Sequence, residues 1–199
     1  MKIISLGGIG GCDLAEALRK LNQPTYPYDW LITTQSFIID SFNDFNSFFT
    51  FDEKYVYDNE KLLVHNKKAI MLHDFNNFTL QKCAVIQKYE RRFNRLNDAL
   101  MGNEDILFVR IYDNLQEKLV PIDYYNNILS RDEEDMQKWE DFIHCIKNKY
   151  NKNAKLLVIT SIQDMCSKTY NNIIINFTHQ HKNCNSIYKI IQDTMPLVI

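Results

Sequence analysis

Glycine is concentrated in one short segment that ends in a cysteine. Gly7, Gly8, Gly10 and Gly11 are four of the five glycines in the chain, and Cys12 follows them directly. Glycine permits backbone conformations and close approaches that a side chain would block. In the first turn of a following helix, unpaired N–H groups and the helix dipole stabilise a thiolate and an oxyanion. Cys12 is therefore a candidate nucleophile.

The glycine segment has two other interpretations. In the first, Cys12 is a small apolar side chain beside a tight turn, and the sequence leaves this open. In the second, the segment is a dinucleotide-binding turn, because a strand, glycines and a helix follow one another. Asp13 stands where the third glycine of that motif belongs, and its carboxylate would repel a pyrophosphate. The dinucleotide interpretation therefore fails in detail.

The elements around this segment predict an α/β fold. Short apolar runs typical of strands buried on both faces occupy residues 2–6, 106–111, 156–160 and 172–177. Helical periodicity occupies residues 13–21, 35–49, 80–101 and 133–150. We therefore predict a single domain over residues 1–199, with a mostly parallel central sheet flanked by helices on both faces.

A hairpin is predicted from two further apolar runs. Residues 61–65 and 69–73 are separated by the polar sequence NKK. This hairpin would deliver His73 and Asp74 to the end of a strand.

Composition excludes several classes of partner. The formal net charge is -2, so no basic field favours nucleic acid. Five cysteines at irregular spacings, with no CxxC pair, argue against disulfides and structural zinc and favour a reducing cytoplasm. No signal segment and no run of eighteen apolar residues is found, so we expect no membrane partner. Heavy use of residues with AT-rich codons hints at a large DNA virus, in which case the location is the host cytoplasm.

An ordered set of motifs in the first 110 residues resembles a known family. The motifs are IISLGGIGGC at 3–12, the stretch from Ala15 to Arg19, YPYDWLIT at 26–33, HDF at 73–75, KYERRFNRL at 88–96 and LFVR at 107–110. The set is similar to the family of putative papain-like cysteine peptidases found in bacteria and large DNA viruses. Two extra glycines before Cys12, and Tyr28 in place of the more usual phenylalanine, depart from the family pattern without removing a titratable group.

The resemblance implies a thiol site with Cys12 as nucleophile and His73 as its histidine partner. Asp29 and Asp74, in the matching motifs, are the candidates to orient His73. A thiol nucleophile needs a nearby base, and the base needs a group that fixes its tautomer, so these residue types meet the minimum. Consecutive side chains on a strand point to opposite faces, which favours Asp29 unless His73 lies past the strand end.

Three arginines in motif positions are candidates to bind an anion beside the glycine segment, because a guanidinium matches phosphate and carboxylate geometry. They are Arg92, Arg95 and Arg110. The alternative is a solvated helix face for Arg92 and Arg95 and an ion pair at a strand end for Arg110.

His179, His181 and Cys184 are spaced like metal ligands. No second pair completes a site with four ligands, so we expect no metal and no cofactor.

Two functions follow from these observations. The first is a thiol-dependent hydrolase of the cysteine peptidase type that acts on a protein or peptide. The second is a non-catalytic viral or bacterial binding protein that holds an anionic ligand or a host partner at the glycine loop, the segment from Gly7 to Gly11. The sequence carries no signal for an oligomeric state.

Overall fold

The computed structural model describes residues 1–8, 11–45, 49, 51–57, 62–65, 68–71, 74–112, 134–163, 169–178 and 183–197. Within these ranges the α-helices are α1 Gly11–Lys20, α2 Gln35–Asn43, α3 Phe78–Met101, α4 Met136–Tyr150 and α5 Cys184–Thr194. The strands are β1 Lys2–Gly8, β2 Leu31–Thr33, β3 Val56–Tyr57, β4 Leu62–His65, β5 Ala69–Met71, β6 Ile106–Tyr112, β7 Ala154–Thr160 and β8 Ile173–Phe177. Two short 3₁₀ helices span Glu53–Tyr55 and Met195–Leu197.

A parallel sheet of four strands forms the centre of the protein. Its order is β1-β6-β7-β8. Ile4 pairs with Phe108, Phe108 with Leu156, and Leu156 with Ile173. The α/β fold with a mostly parallel central sheet is therefore confirmed. β1 continues to Gly8, two residues beyond the predicted end, and its pairing with β6 shifts between Ser5 and Gly8.

Helices cover both faces of this sheet because its strands alternate between two apolar clusters. Leu107 and Val109 belong to a cluster completed by α1 and α5. Ile106 and Phe108 belong to a larger cluster that contains the buried side chains of α2, α3 and α4, including Trp139. Burial on both faces explains why these strands are continuous apolar runs in the sequence.

A second, antiparallel sheet has the order β2-β5-β4-β3. The β4–β5 pair confirms the predicted hairpin. β5 is described as far as Met71, and residues 72 and 73 of the predicted strand lie outside the described residues. β2 was not predicted. It has three residues and follows Trp30, whose φ of 70° interrupts any extended pattern. Leu31 of β2 pairs with Met71 of β5.

Two helices differ from the prediction. α2 ends at Asn43 rather than at residue 49, because Asp44 leaves the helical conformation with φ −152° and ψ 86°. α5 was not predicted, and its buried Ile187 and Ile191 belong to the same apolar cluster as α1. Within the described part of the chain, no helix combines the length and the apolar character needed to cross a membrane.

Candidate functional site

The glycine loop leaves β1 by a left-handed turn. Gly7 and Gly8 have φ values of 67° and 111°, which L-amino acids with side chains rarely adopt. A Cβ on Gly8 would lie 2.1 Å from the carbonyl oxygen of Ile111, and one on Gly11 would lie 2.5 Å from that of Leu31. Glycine is therefore required by contact with β6 on one side and β2 on the other. Gly10, which was also predicted to contribute, lies outside the described residues.

Cys12 is the second residue of α1 and is partly buried. The first N–H groups of a helix have no partner within the helix and carry the positive end of its dipole. This environment lowers the free energy of a thiolate, and the same N–H groups can stabilise an oxyanion. The predicted placement of Cys12 after a glycine turn at the carboxyl end of β1 is thus present in the structure.

Arg110 connects the ends of β6, β1 and β2. Its Nη1 donates to the carbonyl oxygen of Leu6 (3.0 Å) and to Oγ1 of Thr33 (2.6 Å), and its Nη2 donates to the carbonyl oxygen of Thr33 (2.8 Å). Nε donates to Oε1 of Glu134 at 2.7 Å, and Nη2 donates to the same oxygen. The other oxygen of Glu134 accepts from Nε1 of Trp139 at 2.7 Å. All five guanidinium N–H groups therefore have protein acceptors, which favours the ion-pair interpretation of Arg110 over anion binding.

Asp29 is a buried carboxylate, 2% exposed, in the segment between α1 and β2. Its Oδ2 accepts from the backbone N–H of Tyr26 at 2.8 Å, and its Oδ1 has no hydrogen-bond partner among the described residues. Burial raises the pKa of Asp29 to about 7, against the opposing effects of the Tyr26 N–H, the positive charge of Arg92, the Ser5 hydroxyl and Arg95. Oδ1 accepts no hydrogen bond from the Ser5 hydroxyl. A carboxyl group poised near neutrality is typical of functional sites.

Asp74 is held by helix α3. Its side chain is 2% exposed and accepts from Lys88 Nζ at 2.5 Å and from the Tyr89 hydroxyl at 2.7 Å. Burial, and next the Asp74 carboxylate, raise the pKa of Tyr89 well above its ordinary range. Asp74 lies beyond the described end of β5, so the alternation of strand side chains does not decide between it and Asp29. His73 lies outside the described residues, and its role as a base stays a prediction.

Arg92 and Arg95 lie on α3, beside Asp74 and the Tyr26–Asp29 segment. Arg92 is 5% exposed, and its Nη1 lies 3.8 Å from Oδ1 of Asp74. Arg95 donates to Oγ1 of Thr25 at 3.0 Å. These partners include none of those of Arg110, so the described contacts do not gather the three arginines around one anion at the glycine loop.

Several residues of this region carried no local signal in the sequence. Glu134 belongs to a run of acidic residues, which is typical of a solvent-exposed surface. In the structure its side chain is only 1% exposed, because it forms the ion pair with Arg110. Lys88 and Tyr89 were part of a family motif but had no assigned role. Lys88 and Tyr89 are 14 and 15 residues from Asp74 in the sequence. Helical or strand periodicity does not predict contacts between residues this far apart.

Metal binding is not indicated by the residues that the structure describes. These residues contain no group of three or more His, Cys, Asp and Glu side chains placed to hold a metal ion. His179 and His181 lie outside the described ranges.

Fold and site together define a class of protein: an α/β protein that presents a cysteine at the start of the helix following its first parallel strand. A family model described as "Putative papain-like cysteine peptidase (DUF1796)" matches residues 1–138. The chain belongs to this family, and the resemblance found in its motifs is confirmed. No curated protein and no solved structure matches the chain. The family match contains every candidate site residue and ends within α4.

Proposed function

We propose that the protein is a thiol-dependent hydrolase that acts on a protein or peptide, with Cys12 as nucleophile and His73 as base. The observation that carries the proposal is the position of Cys12. It is the second residue of α1 and follows a left-handed glycine turn at the carboxyl end of a parallel strand. Open α/β sheets place their ligands at this edge.

The chemistry uses groups of the chain alone. His73 accepts the proton of the Cys12 thiol, and the thiolate attacks the acyl carbonyl carbon. N–H groups at the start of α1 donate to the oxyanion that forms. The leaving amine takes the proton from His73, and water then releases the acyl group as a carboxylic acid and restores the thiol. A reducing compartment such as the cytoplasm suits a catalytic thiol.

Chain connectivity supports His73 as the base. Consecutive Cα atoms are about 3.8 Å apart, so His73 is two such steps from Met71. Met71 pairs with Leu31, and the Leu31 carbonyl oxygen lies 2.5 Å from the Cβ position of Gly11, the residue before Cys12. His73 and Cys12 are thus each within two residues of positions that touch the Leu31 backbone.

The test is the pH dependence of alkylation by iodoacetamide, followed at each cysteine by peptide mass spectrometry. We expect Cys12 to react with an apparent pKa well below the ordinary thiol value of about 8.5. Cys83 and Cys145 are exposed and serve as references within the same molecule. His73→Ala should move the Cys12 profile toward alkaline pH and leave both references unchanged.

Two results would overturn the proposal. One is a Cys12 profile that matches those of Cys83 and Cys145, and the other is a Cys12 that stays unreactive at all pH values while the references react. Either result would favour the non-catalytic alternative, in which the glycine loop holds an anion or a host partner.

A further inference from the structure

A cavity of about 280 Å³ lies at the edge of the central sheet opposite to the glycine loop. Its wall includes Lys2, the first residue of β1, whereas the left-handed turn lies at Gly7 and Gly8, the last residues of that strand. A strand rises about 3.3 Å per residue, so roughly 20 Å separates the two ends of β1. The volume is close to the lower limit of about 300 Å³ for small-molecule sites. The cavity is therefore separate from the proposed site at Cys12, and its size suits a small molecule.

Both buried and exposed residues line the cavity. Tyr26 and Ala99 are 1% and 7% exposed, whereas Pro24, Asp98 and Asn103 are exposed. The exposed residues give access from solvent, and the buried residues supply apolar surface away from it. A ligand in the cavity can therefore bury apolar atoms, which favours binding.

The hydroxyl of Tyr26 is a hydrogen-bond donor without a partner in the fold. Among the described residues, Tyr26 forms its hydrogen bonds through the backbone, both of them with Asp29, and its hydroxyl forms none. The hydroxyl is not among the completely buried atoms that lack a partner, so it is the part of the side chain that reaches the cavity. Burial, and next the charge of Asp29, raise the pKa of Tyr26 to about 12. The hydroxyl therefore stays protonated and acts as a donor at neutral pH.

Arg95 brings an incompletely bonded guanidinium to the same cavity. Its Nε donates to the carbonyl oxygen of Arg91 at 3.2 Å, and its Nη1 donates to Oγ1 of Thr25 at 3.0 Å. Its Nη2 has no acceptor within the described ranges. The two bonds hold the guanidinium in place and leave donors available, and a planar guanidinium matches the geometry of a carboxylate. Arg95 and Tyr26 therefore offer donors to an acidic group of a ligand.

The charged side chains that line the cavity are balanced. Two are cations, Lys2 and Arg95, and two are anions, Asp98 and Glu104. Lys2 Nζ lies 2.9 Å from Oε1 of Glu104, so these two charges compensate each other. Neither Arg95 nor Asp98 forms an ion pair with a described residue. One positive and one negative group therefore remain for a ligand, and complementary charges are the basis of specific recognition.

We propose that this cavity binds a free amino acid with a small apolar side chain. The ligand carboxylate accepts hydrogen bonds from Arg95 Nη2 and from the Tyr26 hydroxyl. The ligand ammonium group lies against the Asp98 carboxylate, and the aliphatic side chain packs on Pro24 and Ala99. A ligand with only one of the two charges would leave either Arg95 or Asp98 without a counter-charge. This inference does not depend on the proposed hydrolase activity.

The experiment titrates the full chain with L-valine, with isovalerate, which lacks the amine, and with isobutylamine, which lacks the carboxylate. Proton–nitrogen correlation spectra follow the backbone amides of Ala99, Gly102 and Asn103, which line the cavity. We expect saturable shifts with valine and about tenfold weaker binding of each analogue, because each lacks one charged contact. The inference is wrong if valine moves none of these amides, if it moves only those at the start of α1, or if isovalerate binds as tightly as valine.

Three substitutions test the assigned contacts. Tyr26→Phe removes a hydroxyl that has no partner in the fold, so it should weaken valine binding about tenfold without lowering the melting temperature. Arg95→Gln removes the partner of the carboxylate and should weaken valine and isovalerate alike. Asp98→Asn should reduce the affinity for valine to that for isovalerate, and it should not weaken the binding of isovalerate.

Arg91→Gln and Glu90→Gln are the matched controls on α3. Both residues are exposed, and neither lines the cavity. Arg91 bonds to Arg95 through its backbone carbonyl, which the substitution keeps. Both controls should bind valine as the unmodified protein does. Tyr26→Phe and Asp98→Asn decide the matter if circular dichroism shows that Arg95→Gln does not fold, and an unchanged affinity for valine in both would overturn the inference.

Discussion

At the scale of single residues, the raised pKa of the buried Asp29 carboxyl group lowers the stability of the protein at neutral pH and is typical of a functional group. Its carboxyl is buried, and burial raises its pKa to about 7. Stability from such a group is present below the ordinary carboxyl pKa of about 3.9 and is lost as pH rises through 7. At neutral and alkaline pH the native protein therefore carries a destabilising charge. Destabilised groups of this kind are typical of functional sites.

Asp29→Asn should make the protein more stable at pH 8 and less reactive at Cys12. Because one pKa unit corresponds to about 1.4 kcal/mol, we expect a gain of up to roughly 4 kcal/mol at pH 8 that shrinks toward pH 4. Urea unfolding across this pH range measures the gain in the free energy of unfolding, and alkylation by iodoacetamide measures the loss of Cys12 reactivity. Asp52→Asn is the control of opposite sign. Asp52 is exposed, and its hydrogen bond from the Lys54 N–H lowers its pKa, so its replacement should slightly destabilise the protein.

At the scale of elements, one ion pair connects the parts that hold the glycine loop. Arg110 of β6 bonds to the carbonyl oxygen of Leu6 in β1 and to Thr33 in β2, and it pairs with Glu134 just before α4. The guanidinium and the carboxylate are 2% and 1% exposed. The two sheets therefore meet next to Gly7 and Gly8 through a buried and fully bonded charge. This arrangement fixes the backbone of β1 directly before Gly7 and Gly8.

Arg110→Met should destabilise the protein by about 3–5 kcal/mol, because it leaves Glu134 buried without its partner. The double variant Arg110→Met with Glu134→Leu should recover part of that loss, since an apolar pair needs no compensating charge. Chemical denaturation of the single and double variants measures both values. Arg19→Met is the control, because its ion pair with Glu16 is exposed and should contribute less than about 0.5 kcal/mol. If the single and double variants lost the same free energy of unfolding, the buried ion pair would not explain the destabilisation.

At the scale of the whole molecule, the family match and the folded core have different limits. The match ends at residue 138, within α4. β7, which begins at Ala154, pairs with β6 on one side and β8 on the other. The apolar residues of β6 and α1 are covered by β7 and by Ile187 and Ile191 of α5. The candidate site therefore depends on segments that the family match does not include.

A fragment of residues 1–138 should not fold on its own. It would expose the β6 edge that β7 covers, together with much of the core on both faces of the sheet. We expect poor dispersion in a proton–nitrogen correlation spectrum and strong binding of a hydrophobic dye, with the full chain as the control. A well-dispersed spectrum from the fragment would show that residues 1–138 form an independent core.

Much of the fold could be predicted because its strands and helices have local patterns. The strands β1, β6, β7 and β8 are each predominantly apolar, since helices cover both faces of the sheet. β2 was missed because three residues are too few to show a period. α2 was predicted too long because its aromatic residues continue past Asn43, although the backbone turns at Asp44. A pattern of side chains does not report where the backbone leaves a helix.

The sequence alone determined the α/β class, the glycine loop and the position of Cys12 at the start of α1. These features depend on residues close together in the chain, where periodicity and glycine content are visible. Only the tertiary structure decided that Arg110 pairs with Glu134 and that Arg92 lies beside Asp74. A charge leaves water only when packing surrounds it, and that packing is made by elements far apart in the sequence. The sequence showed which groups could ionise, and the packing decided which partners they have.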